Sequence, residues 1–251
     1  MARRTSKTNR DNAKRAYRPQ QHRQFVDMLN EKEEFYEQKT IDIVPRNRAQ
    51  YDYLEALRDE TNHIVFALGP AGTGKTKLAT EYAIEQYQLG NVSKIIITRP
   101  AVSVDEQHGY LPGTIIEKMA PWVVPIIDVF KEHFSVAEVE KMLRTEVIDI
   151  CPLAFARGRT FKNAIILADE MQNATPSQML MLLTRIGEGS CMIVTGDLAQ
   201  HDRGFEENGL KDFVQRLEDR GSECIKTVFF SKTDIVRHPV VQEVLEIYGQ
   251  D

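Results

Sequence analysis

Short apolar runs recur along the chain from about residue 40 onward, and several of them are continuous rather than alternating with polar residues. Continuous apolar runs are typical of strands that are covered on both faces, as in parallel sheets. On this basis we predict strands at residues 63–68, 94–98, 147–151, 164–168, 191–195 and 225–230.

Helical patterns occupy the intervals between these strands. The glycine at position 90 ends the second helix, and Ser135 with Glu138 forms a capping box at the start of the fourth. Strands that alternate with helices predict an α/β fold, built on a mainly parallel sheet with helices on both faces. The predicted helices span residues 48–59, 75–89, 114–133, 136–144, 176–186, 207–219 and 239–248.

The composition is that of an ordinary globular protein. Of the 251 residues, 42% are hydrophobic and 27% are charged, which is too apolar for wholesale disorder. No stretch approaches the roughly 18 consecutive apolar residues that a membrane span requires. The N-terminus lacks the apolar segment of a signal peptide, and the three cysteines are widely spaced, so we expect a cytoplasmic protein with reduced thiols and no membrane partner.

Charge is distributed unevenly along the chain. Residues 1–24 carry eight basic residues and one acidic residue, whereas the remainder carries 24 basic and 36 acidic residues. This contrast predicts a basic N-terminal tail and linker over residues 1–39 and a folded domain over residues 40–251. The tail is either a solubilising segment or an arm that binds nucleic acid through its phosphates.

The strongest chemical signal is a glycine-rich segment between the first predicted strand and the helix that follows it. It reads Gly69-Pro70-Ala71-Gly72-Thr73-Gly74-Lys75-Thr76. It fits the P-loop pattern GxxxxGK[ST], in which glycines let backbone amides face phosphate oxygens at a helix N-terminus. Lys75 would neutralise the β- and γ-phosphates, and the Thr76 hydroxyl would bind Mg²⁺. The segment therefore predicts a nucleotide site, with ATP and Mg²⁺ as the expected ligands.

An acidic pair, Asp169 and Glu170, follows the fourth predicted strand. Asp169 can hold Mg²⁺, usually through water, and Glu170 can act as the general base that activates the attacking water. An adjacent glutamate favours the division of P-loop NTPases in which an additional strand separates the P-loop strand from the aspartate strand. Residues 192–195 are predicted to form that additional strand.

Several motifs together resemble the PhoH family of P-loop ATPases and, more distantly, the core domain of superfamily-one helicases. The segment from Asp169 to Gln172 is similar to the helicase DEAQ box, and Gly196-Asp197-x-x-Gln200 is similar to the third helicase motif. The likeness to the PhoH family covers about residues 42–248. Besides the P-loop, it rests on residues 98–102, 109–113, 152–160 and 236–239.

The resemblance implies a RecA-like P-loop NTPase domain of the additional-strand, catalytic-glutamate type over residues 40–251. It implies that Gln200 senses the γ-phosphate and that the chain assembles into a ring-like homo-oligomer, often a hexamer. It does not identify the substrate, although the helicase likeness and the basic tail favour single-stranded RNA or DNA. The basic tail and the short chain would suit a viral or phage member of the family.

Two further positions have more than one interpretation. Gln50 resembles the glutamine ahead of helicase P-loops, whose amide reads the edge of adenine, but it could equally be an exposed helical glutamine. Trp122 lies in a proline-punctuated segment, and it either packs locally or between subunits, or grips single-stranded nucleic acid in a pore loop.

Arg237 is the first candidate for an arginine that completes the ATP site, and Arg159 is the second. Two-domain helicases supply such arginines from a second domain, for which a chain of 251 residues has no room. An arginine supplied in trans is worth about 10³–10⁵-fold in kcat, which favours a head-to-tail ring of copies. A cis role, in which Arg237 touches the γ-phosphate of its own site, is also compatible with the sequence.

Three functions are compatible with these motifs. The favoured one is an oligomeric ATPase coupled to the binding, translocation or unwinding of RNA or DNA. The second is a nucleotide-gated scaffold or switch with slow ATP turnover. The third is a small-molecule kinase, which would need neither Glu170 nor the motif that ends at Gln200, and it is therefore placed last.

Overall fold

A computed structural model describes residues 41–100, 115–200, 208–236 and 239–248 of the chain. The predicted tail and linker over residues 1–39 lie outside these described residues, as does Arg237. All of the predicted strands are confirmed, with ends that differ by at most one residue. The strands are β1 Ile64–Leu68, β2 Lys94–Thr98, β3 Ile148–Ile150, β4 Ala164–Ala168, β5 Cys191–Gly196 and β6 Ile225–Phe229.

The helices alternate with the strands as predicted. Within the described ranges, none of them combines the length and the apolar character that a bilayer crossing requires. The α-helices are α1 Arg48–Arg58, α2 Lys75–Gln88, α3 Ile115–His133, α4 Val136–Arg144, α5 Pro176–Leu183, α6 Gly209–Arg220 and α7 Pro239–Ile247. Short 3-10 helices span Leu153–Ala156, Met171–Asn173 and Lys232–Asp234.

Helix α5 ends three residues before its predicted end at residue 186. The Thr184 hydroxyl donates to the carbonyl oxygens of Leu180 and Met181, at 3.0 and 2.9 Å. The Arg185 Nε also donates to the Met181 carbonyl oxygen, at 3.0 Å. The Arg185 backbone amide donates to the Leu182 carbonyl oxygen at 2.8 Å, so the α-helical hydrogen-bond pattern ends there, and the two side chains bind the Met181 carbonyl oxygen. The pattern of hydrophobic residues alone does not predict a helix end of this kind.

The strands form one parallel sheet in the order β3-β2-β4-β5-β1-β6. Strand β5 lies between β1, which leads into the P-loop, and β4, which leads into the acidic pair. The prediction of an additional strand is therefore confirmed. In the register of the sheet, Leu68 pairs with Gly196 and Ala168 pairs with Val194, so the carboxyl ends of these three strands lie at one edge.

Two hydrophobic cores cover the two faces of the sheet, which confirms the predicted α/β architecture. Helices α1 to α4 pack on one face through residues such as Leu57 and Phe130. Helices α5 and α6 pack on the other face through residues such as Leu182 and Leu210. Every residue of β1 and β4 is buried, which explains why these strands are continuous apolar runs in the sequence.

The side chain of Trp122, on α3, is partly buried and packs against the core formed by helices α1 to α4. This contact supports the interpretation of Trp122 as a packing residue. The neighbouring Tyr110 and Pro112, which belong to the same proline-punctuated segment, lie outside the described residues.

Candidate nucleotide-binding site

The P-loop joins β1 to α2 along a backbone path that requires glycine. Gly69 has φ 146°, and a Cβ there would lie 2.3 Å from the Phe230 carbonyl oxygen. Gly74 has φ 84° and is the N-cap residue of α2. The first amides of a helix have no partner within the helix and carry partial positive charge, so this end of α2 suits an anion such as phosphate.

A cavity of about 270 Å³ opens beside the P-loop. The structure brings the predicted general base Glu170 and the predicted phosphate sensor Gln200 to the same cavity as Lys75. Its other lining residues are Gly69, Ala71, Gly72, Gly74, Thr76 and Lys77 from the P-loop region, and Thr195, Gly196 and Asp197 from the end of β5. Residues from three separate parts of the sequence therefore share one concave surface.

The ammonium group of Lys75 is held by its own loop. Nζ donates to the carbonyl oxygens of Gly69 and Pro70, both at 2.7 Å, and only 8% of the residue is exposed. Burial lowers the pKa of Lys75, while the nearby carboxylates of Asp197, Glu170 and Asp169 act in the opposite direction. A phosphate oxygen would be a stronger acceptor than either carbonyl group, because it carries a negative charge.

The carboxylate of Asp169 is the acceptor for two hydroxyl groups. Its Oδ1 accepts from Thr76 Oγ1 at 2.8 Å and from Thr195 Oγ1 at 2.6 Å. Its Oδ2 lies 3.7 Å from Arg99 Nη1. A hydroxyl and a carboxylate oxygen are ligands that Mg²⁺ prefers, so Thr76 and Asp169 fit the metal site that the sequence predicts.

Glu170 projects from an uncommon backbone conformation. Its φ of 54° and ψ of 39° place it in the left-handed region, which residues other than glycine rarely adopt. The carboxylate lines the cavity, and its Oε2 accepts a hydrogen bond from Gln172 Nε2 at 2.5 Å. A rarely used conformation of this kind persists only where the surrounding structure holds it, and such positions cluster at functional sites.

Gln200 reaches the cavity from the turn that follows β5. Its Nε2 donates to Asp197 Oδ2 at 2.8 Å, and Asp197 Oδ1 accepts from the Ala199 amide at 2.9 Å. The turn is therefore built around the Asp197 carboxylate. This arrangement suits the predicted role of Gln200 as a phosphate sensor, which stays a prediction.

Gln50 is buried, with 4% of its surface exposed, so the interpretation of an exposed helical glutamine is wrong. Its Nε2 donates to the Thr73 carbonyl oxygen at 2.9 Å, and its Oε1 accepts from the Arg46 amide at 2.7 Å. The side-chain amide thus links the start of α1 to the P-loop. The adenine-reading role of Gln50 stays a prediction, and it would require these partners to be shared or exchanged.

Of the two candidate arginines, Arg159 lies within the described residues and Arg237 does not. Arg159 pairs with the Asp149 carboxylate and stacks on the Phe161 ring, with its Cζ 4.8 Å from the ring centroid. These contacts lie within its own chain. Arg237 is outside the described residues, but Val236, the residue before it, donates its backbone amide to the Gly72 carbonyl oxygen at 3.0 Å. The segment that leads to Arg237 therefore runs beside the P-loop.

Three residues of this site received no role from the sequence. Arg99 and Gln172 stand inside motifs that resemble those of the family, and Thr195 is the penultimate residue of β5. Position alone could have drawn attention to Arg99 and Thr195, since both stand at the carboxyl ends of strands near β4. The contact between Gln172 and Glu170 has no comparable signal in the sequence, because it depends on the turn after β4.

Comparison with known proteins places the chain among PhoH-like sequences. The family model for PhoH-like protein matches residues 42–249. The PhoH-like protein of Bacillus subtilis (strain 168) is 39% identical over 229 residues, which is 90% of this chain and 70% of that protein. Protein PhoH of Escherichia coli (strain K12) is 42% identical over 214 residues, which is 84% of this chain and 59% of that protein.

A similar relation holds for a third bacterial relative. The PhoH-like protein of Mycobacterium tuberculosis (strain ATCC 25618 / H37Rv) is 42% identical over 209 residues, which is 83% of this chain and 58% of that protein. The matched part of the chain thus spans between 58% and 70% of the length of these three relatives.

Proposed function

The chain belongs to the PhoH-like protein family, and from that premise we propose that it is a Mg²⁺-dependent ATPase that works as a homo-oligomer on single-stranded RNA or DNA. The observation that carries the proposal is the shared cavity beside the P-loop. That cavity is lined by a phosphate-binding lysine, a carboxylate suited to general-base chemistry and a glutamine from the turn that follows β5. A P-loop that only held a nucleotide would not need the last two groups there.

The proposed reaction is the hydrolysis of the bond between the β- and γ-phosphates. Lys75 exchanges its carbonyl partners for phosphate oxygens, and the amides at the start of α2 bind the same anion. Glu170 accepts a proton from water, whose oxygen then forms a bond to the γ-phosphorus while the bond to ADP breaks. Mg²⁺, when held by Thr76 and Asp169, supplies neutralisation of phosphate charge.

The homo-oligomeric part of the proposal is supported by the C-terminal helix. Helix α7 begins two residues after Arg237, and its exposed apolar residues recur at helical spacing. These residues are Val240, Val241, Val244, Ile247 and Tyr248. A contiguous apolar face of this kind is typical of an interface, and a second copy of the chain is the partner that would also place Arg237 at a neighbouring site.

The nucleic-acid part of the proposal rests on the helicase-like motifs and on the basic residues 1–24. The test is the steady-state rate of ATP hydrolysis measured against protein concentration, with and without single-stranded RNA and DNA. We expect the specific activity to rise with protein concentration and to rise again with one of the two nucleic acids. A slow rate that is independent of both would instead favour a nucleotide-gated scaffold.

The scaffold is the second candidate function, and one observation favours it. The ammonium group of Lys75 is already hydrogen-bonded within the chain, by the carbonyl groups of Gly69 and Pro70 in its own P-loop. A site whose phosphate-binding lysine is engaged in this way would turn over slowly unless a partner released it. Binding of ATP without turnover, coupled to a change of oligomeric state, is the result that this alternative predicts.

A further inference from the structure

Gln172 connects the proposed general base to the end of the additional strand. It lies on the short 3-10 helix that follows β4, and only 1% of its surface is exposed. Its Nε2 donates to Glu170 Oε2 at 2.5 Å, and its Oε1 accepts from the Asp197 amide at 3.2 Å. Both ends of one side-chain amide are therefore used, one by the base and one by β5.

The packing around Gln172 fixes where its amide lies. A Cβ added to Gly196 would lie 2.9 Å from Gln172 Oε1 and 2.5 Å from Leu210 Cδ2. Gly196 is also buried between its neighbours in the sheet and pairs with Leu68 of β1. The glycine thus leaves the space that the Gln172 side chain needs in order to reach β5.

The connection continues through Asp197 to Gln200. The backbone amide of Asp197 donates to Gln172 Oε1, and the Asp197 carboxylate accepts from Gln200 Nε2. Glu170 and Gln200 both line the cavity. Gln172 and Asp197 therefore join the base to the predicted sensor, both of which line the cavity, through consecutive hydrogen bonds.

We propose that Gln172 is a positioning residue for hydrolysis, which holds the Glu170 carboxylate in place relative to the Asp197–Gln200 turn. The proposal rests on the proposed ATPase function. The amide of Gln172 engages Oε2 of the carboxylate, so Oε1 is the oxygen that accepts the proton from water. Because the same amide is anchored to β5, a movement of the Gln200 turn toward a bound phosphate would be transmitted to the base.

The place of Glu170 explains why a separate positioning residue is needed. Glu170 is the N-cap residue of the short 3-10 helix, but its side chain makes no capping hydrogen bond there, so the cap leaves the direction of the carboxylate free. A catalytic group that is misplaced by about 1 Å can cost about 10²-fold in rate. A buried hydrogen-bond donor that is fixed at its other end removes that freedom.

The test uses two substitutions of similar size in the full-length protein. Gln172→Met removes both hydrogen bonds, and Gln172→Glu keeps an acceptor for the Asp197 amide but replaces the donor to Glu170 with a second carboxyl group. We expect kcat to fall about 10²-fold in both variants. The affinity for a fluorescent ATP analogue is expected to change less than about threefold, because Gln172 does not line the phosphate cavity. Gln215→Met, at an exposed position on α6, is the control.

A double-mutant comparison distinguishes an effect of Gln172 that acts through Glu170 from a merely structural role of Gln172. If Gln172 acts through Glu170, then adding Gln172→Met to Glu170→Gln leaves the residual single-turnover rate unchanged. Independent effects would multiply, and that result would overturn the proposal. So would a Gln172→Met variant that melts at the wild-type temperature and keeps the wild-type kcat. If Gln172→Met fails to fold, then Gln172→Glu carries the same comparison.

Failure of the underlying ATPase function gives a different result. A wild-type protein without turnover, or a Glu170→Gln variant with undiminished turnover, would overturn the assignment of the base and the Gln172 proposal with it. An active wild type, an inactive Glu170→Gln variant and a fully active Gln172→Met variant would overturn the Gln172 proposal alone.

Discussion

The ammonium group of Lys75 illustrates how much a single residue contributes to this site. It is nearly buried, it is bound by two carbonyl groups, and burial lowers its pKa. A charged group in such surroundings is stabilised by a negatively charged partner. At the scale of the residue, the surroundings of Lys75 alone therefore favour the binding of a phosphate.

Replacing Lys75 with alanine should weaken nucleotide binding. A hydrogen bond to a charged group contributes about 1.5–3 kcal/mol, so we expect the dissociation constant of a fluorescent ATP analogue to rise roughly 10-fold to 100-fold. Lys94→Ala, which removes a half-buried lysine at the start of β2, away from the cavity, is the matched control. Equal affinities for the wild type and Lys75→Ala would contradict the assignment of Lys75.

Replacing Glu170 with glutamine should separate binding from hydrolysis. The amide keeps the size of the side chain but cannot accept the proton from water, so turnover should fall by about 10²–10⁴-fold while ATP remains bound. The measurement is phosphate release together with nucleotide affinity, and Glu223→Gln at an exposed position is the control. Undiminished phosphate release from Glu170→Gln would show that another group is the base.

At the scale of the element, the site depends on the insertion of β5 between β1 and β4. This strand places Thr195 against Asp169, at 2.6 Å, and places Asp197 within reach of Gln172. The other neighbour of β4 is β2, which ends one residue before Arg99, the ion-pair partner of Asp169. The proposed metal ligand is thus held by residues from both adjacent strands.

Thr195→Val tests whether β5 orients the metal ligand. The valine has nearly the same shape but removes the hydroxyl that donates to Asp169. Loss of a group that orients a metal ligand typically costs about 10–100-fold in metal affinity, so we expect a corresponding rise in the Mg²⁺ concentration that gives half-maximal turnover. Thr227→Val, on the edge strand β6, is the control. A Mg²⁺ dependence identical to that of the wild type would remove Thr195 from the metal site.

At the scale of the whole molecule, the question is whether one chain makes a complete active site. The described part of the chain brings the P-loop, the acidic pair and Gln200 together without a second copy. The guanidinium group of Arg159 is already paired with Asp149, which favours Arg237 over Arg159 as the candidate arginine. Whether Arg237 serves its own site or a neighbouring one is decided by assembly.

Mixing two inactive variants tests a trans role of Arg237. If Arg237 acts on the neighbouring copy, then subunits with Arg237→Ala and subunits with Glu170→Gln should together form some interfaces that hold both native groups. We expect the mixture to recover a measurable fraction of the wild-type turnover. No recovery, under conditions where subunit exchange is demonstrated by fluorescence energy transfer, would favour a cis role of Arg237 or a different arginine in the trans role.

Deleting residues 1–24 tests the basic tail. Removal of eight basic residues should weaken binding to single-stranded nucleic acid and should flatten its dependence on salt, because fewer counterions are released. The measurement is fluorescence anisotropy across a range of salt concentrations. An unchanged salt dependence would leave the tail with a solubilising role only.

Much of the fold could be predicted because the residue types in a short segment indicate whether that segment is buried and which backbone conformations it can adopt. The continuous apolar runs at 64–68 and 164–168 identified buried parallel strands, and the glycines of the P-loop identified a turn that few other residues allow. The adjacent Asp169 and Glu170 predicted the additional strand between the P-loop strand and the aspartate strand, and the structure contains it. The end of α5 was placed wrongly, because the Thr184 and Arg185 side chains cap it in a way that hydrophobic periodicity does not express.

The sequence by itself therefore determined the order of elements, the phosphate loop and the identity of the acidic pair. Only the tertiary structure decided which side chains act on one another there. Gln172 and Asp197 are separated by 25 positions, and Gln50 and Thr73 by 23, yet each pair is joined by a hydrogen bond. Such contacts depend on strand order, register and packing between distant segments, and no local pattern of residues encodes those relations.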